Sequence, residues 1–105
     1  MLRKVNKEVL RALFDNPLTV LGMFPHPQNR KFTIEKHGKS IDAMAQLAVK
    51  QDSKGFWRML ESVSTDDREK VKVCFLVYHY LRLYYPQAME WFLDQQASGK
   101  SLTNF

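Results

Sequence analysis

The sequence predicts a mainly α-helical fold: a compact bundle of about five helices with at most one short β element near residues 31–36. Apolar residues recur at spacings of three and four through most of the chain, which is the period of a helix with one buried face. Helix-start signals recur as well, either a cap residue before Pro or a cap residue before a run of acids. Only 4 Gly and 4 Pro interrupt a chain that is 45% apolar, so a folded core is expected rather than disorder. At 105 residues the whole chain, 1–105, is expected to form one domain with a single modest core.

Asn6 is placed to cap a first helix, with Val9, Leu10, Leu13 and Phe14 expected on one face and Leu2 and Val5 leading into it. Asp15-Asn16-Pro17 ends it and starts another, because Asn at a cap followed by Pro at the first helical position is a preferred start. Leu18, Val20, Leu21, Met23 and Phe24 then form a short apolar helix, stopped by Pro25-His26-Pro27. Phe32-Thr33-Ile34-Glu35 alternates like a short strand, and Lys36-His37-Gly38-Lys39 reads as a turn; without a return strand the segment is an extended basic loop.

Ser40 is expected to cap the following helix, which carries Ile41, Met44, Ala45, Leu47 and Ala48. Asp52-Ser53-Lys54-Gly55 interrupts it, and Phe56, Trp57, Met59, Leu60 and Val63 resume the pattern as a second helix or as the far side of a kink. The clearest start signal is Ser64-Thr65-Asp66-Asp67-Arg68-Glu69, where hydroxyl caps precede three acids in the first turn. The long helix after it runs to about Tyr85. Pro86 then restarts a last helix bearing Ala88, Met89, Trp91, Phe92 and Leu93, with Gly99 as its stop and residues 100–105 fraying unless Leu102 and Phe105 pack back.

The segment Val73 to Tyr85 frames the functional question. It is apolar or aromatic at every position except His79 and Arg82, more than one face of a helix needs. Either the rest of the chain wraps it or part of it stays open for a partner. Tyr and Trp are the side chains most used as interface anchors, because they join a large apolar area to a polar tip. Tyr78, Tyr80, Tyr84, Tyr85 and Trp91 are therefore the candidate protein-binding residues, with Arg82 as a charged hot spot among them.

The net charge of +5 lies entirely in the first two-fifths of the chain: residues 1–40 hold eight bases against three acids, and the remainder holds eight of each. Such asymmetry favours an acidic partner. Arg30, Lys31, Lys36, His37 and Lys39 fall within ten residues, with Phe32 available to stack, and form the candidate nucleic-acid contact. No early Arg, Asn or Gln marks the helix after Ser40 as a reader of the major groove, so non-specific phosphate contact is the form expected.

Catalysis has no support in the residue pattern. Cys74 and His79 stand five apart, on different faces of a helix, and cannot chelate one ion locally. No Ser, Cys or Lys has a recognisable activating base, and the four glycines are isolated rather than grouped in a phosphate loop. Neither an enzyme nor a bound cofactor or metal is expected. No apolar run reaches the roughly 18 residues of a membrane span, the N-terminus lacks a signal-like apolar stretch, and the lone Cys74 suits a reducing cytoplasm as a buried thiol. The expectation is a small adaptor, regulator or inhibitor that docks on a protein partner through its aromatic C-terminal helices, a homodimer being one form of this. The alternative is a nucleic-acid-binding regulator acting through residues 28–40 and the N-terminal bases.

Overall fold

Asn6 opens the first helix as its position demands: the side-chain oxygen accepts the Glu8 backbone N–H at 2.7 Å, and α1 runs Lys7–Asp15. The computed structural model describes residues 6–98, so Leu2 and Val5, the Gly99 stop and the packing of Leu102 and Phe105 lie outside the described residues. Asn16 repeats the device, accepting from Leu18 N at 2.9 Å to begin α2, Pro17–Met23, with Pro17 at the first helical position. Asp66 does the same for Arg68 N at 2.9 Å, opening α5, Asp67–Tyr84.

Residues 31–36 are helical, neither the short strand nor the extended loop, and this also corrects the turn at Gly38 and the cap at Ser40. A single helix α3 spans Pro27–Val49, with Pro27 at its first turn after an extended His26. Alternation over four residues is a weak signal, and a strand needs a neighbour to satisfy its backbone. No strand exists among the described residues. The helical register instead turns Thr33, His37, Ile41, Met44, Ala45 and Ala48 inward as one stripe at spacings of three and four. Thr33 Oγ1 donates to the Asn29 carbonyl one turn back at 3.0 Å, which satisfies its hydroxyl without leaving the helix.

The break after α3 is a true helix end. Gln51 has φ 58°, the Gln51 N–H donates to Ala48 O at 3.0 Å, and the Asp52 N–H donates to Leu47 O at 2.9 Å. That pair of bonds closes a helix with one left-handed residue, here Gln rather than Gly. Asp52 then caps α4, Ser53–Val63, by accepting from Gly55 N at 2.9 Å. A 3-10 turn, Pro86–Ala88, leads into α6, Met89–Ala97, so Pro86 restarts the chain as expected.

Among the described residues six α-helices thus form a bundle centred on α5, which packs chiefly on α3 and also meets α4 and α6, while α1 lies along α6. From Val73 to Tyr78, and again at Leu81, α5 is buried. Aromatic rings link its flanks: Phe14 stacks on Tyr78 at 4.7 Å, Phe92 lies 6.0 Å from Tyr78, and Phe56 stands edge-on to both Phe92 and Trp91. Each such ring adds roughly 0.5–1.5 kcal/mol of ring–ring contact to its area burial. On α1 only Leu10 and Phe14 reach this core; Val9 and Leu13, one position earlier in each turn, face outward.

Candidate functional site

The middle of α5, from Val73 to Tyr78 and again at Leu81, is wrapped by the rest of the chain, but its last turn is not. Leu83 is 73% exposed and Tyr84 64% exposed. Beside Leu83, between α3 and α5, lies a groove of about 550 Å3. Its α3 wall is Arg30, Ile34, Gly38 and Ile41, one line of a helix at spacings of four, four and three. Its α5 wall and floor are Phe75, Leu76, His79, Tyr80, Arg82 and Leu83, and Val20 of α2 with Phe24 closes one end. A second hollow of about 330 Å3 shares Val20, Phe24, Arg30 and His79 with the first and extends the trough past Leu21, between α2 and the start of α3.

The trough is apolar with a cationic set of polar groups. No carboxylate appears among its described lining residues, whereas Arg30 and Arg82 both do. Arg82 Nη1 lies 3.3 Å from Asp15 Oδ1, leaving the rest of its guanidinium fork unused, and Arg30 has no ion pair among the described residues. His79 Nε2 is buried without a hydrogen-bond partner among the described residues. Burial, then the nearby Arg82 and Arg30, hold the His79 imidazole below its usual range, with Asp15 opposing them. It is therefore neutral at pH 7.

The six candidate protein-binding residues separate into three groups. Tyr78 is 1% exposed and belongs to the core, which removes it as a surface anchor: its ring is covered by Phe14 and its hydroxyl donates to Asp15 Oδ1 at 2.8 Å. Tyr80 and Tyr84 stand together at the open end of α5, 4.9 Å apart, and Tyr80 donates to Asp42 Oδ1 at 2.8 Å; Arg82, two residues from each, lies on a different face of the helix and meets Asp15. Tyr85 and Trp91 are half-buried and tied elsewhere, Tyr85 accepting from Gln46 Nε2 at 3.0 Å and Trp91 packing on Phe56 at 5.6 Å.

The basic set is also divided. Arg30, Lys31, Lys36 and Lys39 are exposed on α3, but His37 is buried on its inner stripe and cannot meet a nucleic acid. Lys36, Lys39 and Phe32, itself 64% exposed, share the outer side of α3, whereas Arg30 lies on the groove side. Among the described residues no three His, Cys, Asp or Glu side chains converge as metal ligands, and no helix is long and apolar enough to cross a membrane.

Sequence reading missed the α3 wall because it broke the helix at Lys36–Lys39. The line Ile34, Gly38, Ile41 was visible only once that stretch is helical. Comparison with known proteins adds nothing to this geometry: no family model, curated protein or solved structure matches the chain.

Proposed function

We propose that this chain is a small non-enzymatic binding protein, an adaptor, regulator or inhibitor, that docks a protein partner in the trough between α2, α3 and the C-terminal half of α5. The observation that supports it is the open, apolar surface left at the end of a helix whose middle is buried: Leu83 and Tyr84 stand exposed beside a groove floored by Phe75 and Leu76. Exposed apolar surface gathered at a concave site is where partners bind. Tyr80, Arg82 and Tyr84 supply the aromatic and guanidinium groups that most often anchor such contacts.

Gly38 provides a clean test. A Cβ at that position meets nothing within 4 Å, and Gly38 lines the groove, so a larger side chain projects into open space rather than into the core. Gly38→Leu should keep the fold and fill the groove. The tagged wild-type chain, purified from its native cells at moderate salt and treated with nuclease, is expected to retain a stoichiometric protein that Gly38→Leu and Leu83→Asp both release. Retention of the same protein by both variants would rule the groove out as its dock.

A second reading has narrower support. Lys31, Lys36 and Lys39 are exposed on one helix and Phe32 stands beside two of them, which suits non-specific contact with a phosphate backbone. In that case nuclease treatment removes the bound material, and Lys36→Glu with Lys39→Glu abolishes its capture.

A further inference from the structure

We infer that the occupant of the trough is an amphipathic helix of a partner protein that places an Asp or Glu carboxylate between Arg30 and Arg82. This rests on the docking proposal above and adds the chemistry of the partner.

The walls decide the form of the occupant. All three are helices, whose backbone N–H and C=O groups are taken up within each helix, and no sheet edge is present among the described residues. An extended segment laid in the trough would find no backbone partners, and its own amide groups would be left unpaired against apolar walls. A helix brings its backbone bonds with it and asks only for apolar contact along one stripe. The trough offers such a stripe on both sides, Ile34 and Ile41 from α3 facing Leu76 and Leu83 from α5.

The charges decide the rest. Arg30 has no ion pair among the described residues, and Arg82 uses one arm on Asp15 and keeps the other N–H groups. His79 lines the same trough, with its Nε2 unpartnered. Two cations beside apolar walls, with no carboxylate in the lining, repel a basic helix and favour an acidic one over a neutral one. A guanidinium pair is also the arrangement best suited to grip a carboxylate from two directions.

The test is a selection on the whole chain with a displayed library of 16-residue peptides that carry Leu at helical spacing and randomised flanking positions. Selected peptides are expected to be helical when bound, to shift the amide resonances of Ile34, Gly38 and Leu76, and to carry Asp or Glu enriched at one flanking position. Replacing that residue by Gln or Asn should weaken binding about tenfold, and Arg30→Gln or Arg82→Gln should each weaken it several-fold and flatten its salt dependence. Groove binders without acid enrichment, indifferent to both arginine variants, would overturn the carboxylate while leaving the dock intact. Groove binders in an extended form would overturn the helix. A selection that yields no binders, or binders unaffected by Gly38→Leu, would overturn the dock and this inference together.

Discussion

Tyr78 illustrates how one side chain can be mistaken for an anchor. Its neighbours in sequence are aromatic and its own polar tip suits an interface, but the ring lies against Phe14 and the hydroxyl reaches Asp15, which also receives Arg82. That carboxylate joins the end of α1 to the middle of α5. Tyr78→Phe should therefore keep the packing and lower stability by about 1 kcal/mol, measured by urea unfolding, the usual worth of one hydrogen bond to a partly exposed acceptor. Nothing in the sequence marks Asp15 as the partner, because the pair is 63 residues apart. Gln51 is the other residue whose role was hidden. It holds φ 58° at a helix end where Gly is ordinarily found, so Gln51→Gly should raise stability by about 0.5–1 kcal/mol, and a lower unfolding midpoint would refute this account of the turn.

Helix by helix, legibility followed the strength of local chemistry. Asn6 and Asn16 each accept a backbone N–H two residues on, as their position in the sequence predicts, because capping is settled within a few residues; before α5 the cap is Asp66 rather than the hydroxyls ahead of it. The start of α3 was missed for the opposite reason. Its local signals, a Gly at 38 and alternation from Phe32 to Glu35, favour a turn and a strand, whereas the inward stripe from Thr33 to Ala48 has value only against α5. Tertiary burial overrode propensity there. Gly38 is then a helix-interior glycine with nothing in its way, and Gly38→Ala should raise stability by about 0.5–1 kcal/mol. Gly55 should behave in the reverse sense. A Cβ there would lie 2.7 Å from Asp52 Oδ2 and 3.1 Å from Leu47 Cδ2, displacing the carboxylate that caps α4, so Gly55→Ala should lower the midpoint of thermal unfolding while Gly38→Ala raises it.

For the molecule as a whole, long-range pairing decides which charges remain free. Lys7 meets Glu90 at 3.2 Å and Asp94 at 3.0 Å, and Arg11 bonds Glu90, so two bases of the positive N-terminal region clasp α1 to α6. The charge asymmetry was legible in sequence; that part of it is spent internally was not, since the partners lie about eighty residues away. The groove was half legible in the same way: surplus apolar residues at the end of α5 announced an open surface, but its opposite wall required α3 to be continuous. Titration provides a test of the assembled packing. His79 binds its proton less readily in the fold than its usual 6.5, so stability should fall as pH drops below that value, where the unfolded chain takes up a proton that the fold resists. Asp15 on α1, Arg30 on α3 and Arg82 on α5 are the charges that face it, and the two arginines outweigh the one carboxylate. Tyr78 is held up to about 12, by burial first and by Asp15 second, so stability should fall again as pH rises from 10 to 12, where the unfolded chain loses a proton that the fold keeps. Glu90, held below its usual 4.5 by Lys7 and Arg11, adds stability that is present above that pH and lost as pH falls through its lower folded value. Chemical denaturation across pH should thus show a plateau from about 7 to 9, above which the buried Cys74 thiol, held well above its usual 9.0, and then Tyr78 and Tyr80, each pushed up to about 12, withdraw stability as the unfolded chain loses protons that the fold keeps. His79→Gln should flatten the shoulder just below neutrality and leave the alkaline side alone, and Tyr78→Phe should lessen the alkaline fall without removing it, because Cys74 and Tyr80 remain. A His79→Gln profile that still falls between pH 7 and 5 as steeply as the wild type would mean that the imidazole is not held neutral by its place beside the two arginines.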